Sequence, residues 1–176
     1  MSSYNPGNAK FTYKKYYPIR KLIFTKFKER FKSDMLINSA AQVLLHGDTQ
    51  PALVCSTEPL LVAAYSDAMD AVVMLKFPSE LIPMYDLKIG TRLVSSTAYN
   101  KAKGEPAADI ILGESYTGEF IDFYPIVQLF IAGDDEKIRA RTELFSEEEW
   151  AKVERLAIEY LSERPDKMRD GFFYFR

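Results

Sequence analysis

A thiolate activated by a histidine base is the first chemistry this sequence invites, because it holds one cysteine and one histidine, Cys55 and His46. If residues 46–51 turn a hairpin, His46 faces Pro51 and Cys55 stands about 13 Å further along its strand at ~3.3 Å per residue. The pair is therefore not expected to meet. Cys55, set in an apolar run, reads as a small buried hydrophobe. His46, beside Gly47 and Asp48, reads as a solvated turn residue without an orienting partner.

Carboxylates come next. Asp48 precedes one apolar run, and Asp67 and Asp70 flank a later turn. In an antiparallel meander both turns fall at the same end of the sheet, so Asp48, Asp67 and Asp70, with His46, form a candidate acidic cluster. Such a cluster could hold a hard cation through oxygen ligands and serve a metal-dependent hydrolase. Against this, the spacing matches no EF-hand loop, and aspartate commonly starts turns by bonding its own backbone. Gly113-Glu114-Ser115-Tyr116-Thr117-Gly118-Glu119 has the look of a phosphate loop, but it lacks the Walker lysine and is no G-x-G-x-x-G turn. No G-x-S-x-G elbow occurs. With so few reactive groups the inventory points away from an enzyme. No catalytic residue, metal or cofactor is expected.

Charge is distributed unevenly. Residues 10–32 contain nine Lys and Arg against one acid, Glu29, so this segment carries +8 and the remainder −10 of a net −2. Phe11, Tyr13, Tyr16, Tyr17, Phe24, Phe27 and Phe31 interleave with the cations. Aromatics can stack on bases while lysines neutralise phosphates, which makes residues 10–32 a candidate nucleic-acid surface. Lysine outnumbers arginine seven to two there, which is poor for base readout by guanidinium forks. An anionic membrane surface is another possible counterpart. So is the chain's own acidic body.

The elements that must position these residues follow from periodicity. Residues 1–10 read as a flexible leader with Pro6 and Gly7. Residues 18–32 read as one basic helix with Pro18 in its first turn. In it Ile19, Ile23, Phe27 and Phe31 recur every fourth residue and form an apolar stripe to be buried. Residues 41–98 read as sheet, with a meander core at 41–77 built from runs 42–45, 52–56, 60–65 and 71–77. A short helix at 79–85, a strand at 92–98, a loop at 100–108, an edge strand at 110–112 and a loop at 113–118 follow. Residues 123–164 read as mainly helical. Residues 123–131 form a buried helix with Pro125 in its first turn (a strand being the alternative), and 134–144 a charged one. Ser146 and Glu149 have the spacing of a capping box ahead of the stripe Trp150, Val153, Ala157, Tyr160 and Leu161. Phe172, Phe173, Tyr174 and Phe175 are too apolar for a free tail and should dock on the body or on a partner.

At 176 residues with 47% hydrophobic and 27% charged side chains, the chain suits a single globular domain. No apolar run approaches the about 18 residues that cross a bilayer, and the first ten residues carry no apolar signal core. The expectation is a single α+β domain with a mostly antiparallel sheet of four to six strands, packed by an N-terminal amphipathic helix and C-terminal helices. The expected function is that of a non-enzymatic cytoplasmic binding protein, adaptor or immunity-type. Its candidate partner surface is Lys14, Lys15, Tyr16, Tyr17, Lys21, Lys28, Phe172, Phe173 and Tyr174. A protein partner or self-association is expected. Nucleic-acid binding and the metal-dependent hydrolase are the alternatives.

Overall fold

In a computed structural model, which describes residues 4–176, the chain is a single α+β domain built on a curled, mostly antiparallel sheet. The three N-terminal helices are α1 (Tyr13–Ile23), α2 (Phe27–Met35) and α3 (Ile37–His46). The sheet then begins with β1 (Asp48–Thr57), β2 (Leu60–Ser66) and β3 (Ala71–Phe77). A short α4 (Leu81–Tyr85) leads to β4 (Arg92–Asn100), β5 (Ile111–Leu112) and β6 (Asp122–Val127). The remainder is α5 (Gln128–Ile131), α6 (Asp135–Ala140), a 3-10 turn at Arg141–Leu144, α7 (Glu147–Glu163), β7 (Arg169–Asp170) and a last 3-10 turn at Phe173–Phe175. Strand order is β5-β3-β2-β1-β4-β6, with β7 lying parallel against β3.

Alternation along the strands divides the interior in two. Register sets Ala52 opposite Ala64, and Val62 opposite Leu75. Ala52, Val54, Val62, Ala64, Val73, Leu75 and Phe77 thus share a face and belong to the larger core. Tyr16, Ile19, Ala40, Leu44, Phe130, Phe172 and Phe175 are part of that core too. Leu53, Leu61, Ala63, Tyr65, Val72 and Met74 point the other way and are covered by Trp150, Val153, Leu156, Ala157 and Tyr160 of α7. The capping box starts α7 as the sequence implies. The Ser146 hydroxyl accepts from the Glu149 N–H at 3.2 Å, and the Ser146 N–H donates to the Glu149 carboxylate at 2.7 Å. Trp150 is buried beneath the Arg92 guanidinium, 5.0 Å from its ring centre, and its indole N–H has no partner.

The tail closes the curl. Arg169 on β7 donates to both Asp109 carboxylate oxygens at 2.6 and 2.7 Å, to Asp122 at 2.7 Å and to the Phe123 carbonyl at 2.8 Å. Tyr174 donates to the Tyr124 carbonyl at 2.6 Å. One segment therefore ties β3 to the β6 edge. Gly171 is required in it, because a Cβ there would overlap the Phe77 ring.

Several elements differ from the sequence reading. Residues 42–45 lie in α3, whose Ile37, Ala40 and Leu44 are buried at helical spacing, and β1 begins at Asp48 inside the expected turn. The single basic helix is two. Phe24 turns into the core and leaves the helical path, which separates α1 from α2. Helix α1 also starts five residues before Pro18. Residues 122–127 form a strand on the sheet's edge, where Pro125 is tolerated because an edge strand need not donate at every position. The leader is docked: Pro6 bridges to Asp48, and the Gly7 and Asn8 N–H groups donate to the Gly47 and Leu45 carbonyls at 2.7 and 2.9 Å. Its residues 1–3 lie outside the described residues. No helix among the described residues is long and apolar enough to cross a membrane.

Candidate interaction surface

The break between α1 and α2 decides where the apolar stripe points. Tyr16 and Ile19 anchor α1 in the core, whereas α2 buries only Ser33. The two helices are joined through Arg20, whose guanidinium donates to both Asp34 carboxylate oxygens at 2.8 and 2.6 Å. Tyr16 donates to the same carboxylate at 2.7 Å and shares a hydrogen bond with the Ser33 hydroxyl. With α2 pinned by that side, Phe27, Phe31 and Met35 face outward. They are 81%, 62% and 70% exposed. At i, i+4 and i+8 they form one stripe on the helix, and Lys28 and Lys32 are exposed beside it. On α1, Tyr13, Lys14, Tyr17 and Lys21 are exposed as well. The Tyr13 and Tyr17 rings lie 5.5 Å apart, and Arg20 covers Tyr17 at 4.8 Å.

The expected partner surface is therefore split. Lys14, Tyr17, Lys21 and Lys28 are exposed. Tyr16 and Phe172 are buried in the core, and Phe173 and Tyr174 pack half-buried against the body near Tyr124. Lys15 is spent internally, donating to the Leu129 carbonyl at 2.6 Å and pairing with Asp135 at 2.5 Å. Phe27, Phe31 and Met35 replace them as the outward apolar groups. Sequence reasoning counted both phenylalanines among the aromatics but assigned their stripe to the core.

The acidic cluster forms only in part. Gln50 donates to Asp48 at 2.8 Å and to Asp67 at 2.6 Å, and Tyr99 donates to Asp48 at 3.3 Å. Burial pushes the Asp48 carboxyl above the ordinary range, against the hydrogen bonds that favour its charge. Asp70 belongs elsewhere. It accepts from Tyr65 at 2.8 Å and the Ser115 N–H at 2.7 Å, and it pairs with Lys152 of α7 at 2.7 Å. Burial opposes its charge, but these donors outweigh burial and hold its carboxyl below the usual range. The His46 side chain is exposed at the end of α3, and no group of three or more His, Cys, Asp or Glu among the described residues is placed to hold a metal. The glycine-flanked loop is committed to Asp70 through the Ser115 N–H, while the Gly113 N–H donates to the Asp70 carbonyl at 2.5 Å. Cys55 is half-buried and far along β1 from His46, and burial pushes its thiol up to about 11.

The fold and this surface define a curled-sheet α+β domain that presents a basic, apolar helix face. Comparison with protein-family models, curated proteins and solved structures finds no match.

Proposed function

We propose that the protein is a non-enzymatic cytoplasmic binding protein, of adaptor or immunity type, that docks an acidic partner protein on the outer face of α2. The carrying observation is the uncovered stripe Phe27, Phe31 and Met35 beside Lys28 and Lys32. Apolar side chains at this spacing suit a groove that accepts a helix face. The lysines call for a rim of aspartate and glutamate, which speeds encounter and rejects basic competitors. Burying three such side chains yields about 4.5–9 kcal/mol before the costs of association, at about 1.5–3 kcal/mol each.

The test is comparative capture from lysate with the wild-type chain, Phe27→Ser/Phe31→Ser and Lys28→Glu/Lys32→Glu. An acidic protein retained by the wild type, lost by both variants and released by salt supports the proposal. Capture unchanged by both variants overturns it. The serine variant should melt with the wild type, because exposed side chains contribute within about 0.5 kcal/mol.

Nucleic-acid binding is the second function with an observation in its favour, the exposed Tyr13, Lys14, Tyr17 and Lys21 on α1. It requires single-stranded oligonucleotides to bind at low salt with affinity that falls steeply as salt rises. Absence of an anisotropy change at low salt removes it.

A further inference from the structure

A second charged feature lies away from the stripe. A pocket of about 340 Å³ is lined by Asn8, Ala9, Lys10, Gly133, Asp134, Lys137, Ile138 and Arg141. Its frame is held by backbone pairing. Gly133 donates to the Lys10 carbonyl at 2.9 Å, Thr12 donates to the Ile131 carbonyl at 3.1 Å, and Phe11 bridges to Ala132. From the other side Arg141 donates to the Gly7 carbonyl, to the Asn8 carbonyl at 3.0 Å and to the Gln128 side chain at 2.6 Å. All three of these acceptors are neutral.

The charges around this pocket do not cancel. None of the ion pairs among the described residues involves Lys10, Lys137 or Arg141. Asp134, the single acid in the lining, accepts from the Lys137 backbone N–H at 3.3 Å. The neighbouring Asp135 is paired with Lys15. Burial lowers the hold of Arg141 on its proton, and Asp134 offsets this only in part. Three cations against one acid, on a preformed concave frame, is the arrangement that takes up an anion. The volume exceeds that of a bare phosphate group, and the side chains of Ala9 and Ile138 supply an apolar wall.

We propose that this pocket binds a small phosphate monoester, its phosphate held by Lys10, Lys137 and Arg141 and its body against Ala9 and Ile138. The test is calorimetric titration of the full chain with inorganic phosphate, phenyl phosphate and phenol. Phenyl phosphate should bind more tightly than inorganic phosphate, and phenol should not bind. Lys10→Gln/Lys137→Gln changes two exposed side chains and should leave the melting temperature unchanged while weakening phenyl phosphate at least about tenfold. Amide shifts on titration should centre on Gly133 and Ile138. No heat from either phosphate up to about 10 mM, well above the about 1 mM that marks weak binding, overturns the proposal. Equal affinity in the double variant, or amide shifts confined to α1 and α2, also overturns it.

Discussion

Replacing Arg169 with Met should cost about 3 kcal/mol, because removing one partner of a buried ion pair leaves uncompensated charge worth about 3–5 kcal/mol. The lower end applies because the Asp109 side chain keeps 33% exposure while those of Arg169 and Asp122 keep 13% and 16%. Methionine fills similar space, so the loss falls on the four hydrogen bonds that tie β7 to Asp109, Asp122 and the Phe123 carbonyl. The assay is urea unfolding, followed by far-UV dichroism. With an m-value of about 2 kcal/mol/M the midpoint should fall by about 1.5 M, and the melting temperature by about 6–12 °C. Acid should narrow the difference. The hydrogen bond from Arg169 holds the Asp109 carboxyl below its ordinary range. A depressed folded value means the contribution is complete above the unfolded carboxylate's about 3.9 and is lost as pH falls through the folded value. The gap between wild type and Arg169→Met should thus be flat through neutrality and shrink below about pH 4. A loss under about 1 kcal/mol, the level of a surface pair, or a gap that widens in acid would refute the closure by Arg169.

Further expectations are more local. Gly171→Ala should destabilise by about 2 kcal/mol, because the added methyl overlaps the Phe77 ring and the packed core must yield; thermal melts report it. Ser146→Ala should cost about 1 kcal/mol through loss of the α7 cap, read by the same melts. Cys55 should resist alkylation by iodoacetamide at pH 8 in the native protein and react in denaturant, since burial raises its thiol to about 11; mass spectrometry distinguishes the two.

Much of the sheet was legible because turn chemistry brackets it. Thr57-Glu58-Pro59 and 66–70 separate β1, β2 and β3 at the positions their apolar runs imply. The capping box was legible because Ser146 and Glu149 act through the local backbone alone. Residues 42–45 were not, since a short apolar run fits strand or helix equally until Ile37 and Ala40 are added to the pattern. Residues 122–127 misled through Pro125, whose place in an edge strand depends on which strand has no outer neighbour. The interaction surface was the least legible part. The stripe Phe27–Phe31–Met35 has the same spacing whether it faces core or solvent. Its direction is set by Phe24 turning inward and by Arg20 gripping Asp34, contacts between residues that periodicity treats as bystanders. The Asp48–Gln50–Asp67 bridge was half visible. Antiparallel pairing of β1 with β2 does put Asp48 and Asp67 at one end, though residues 46–51 are not the hairpin that was expected there, and the bonds of Asp70 to Tyr65, the Ser115 N–H and Lys152 of α7 show why the third acid is not with them.

The two interiors also give the molecule a built-in pair of optical reporters. Trp150, the sole tryptophan, sits on the α7 side of the sheet, while Tyr16, Phe123 and Phe130 lie in the opposite core. Indole emission therefore follows the departure of one coat, and near-ultraviolet dichroism of tyrosine and phenylalanine is weighted toward the other. Should the two signals part during denaturation, the sheet sheds one coat before the second; should they coincide, the strands cannot stay ordered with either side bare.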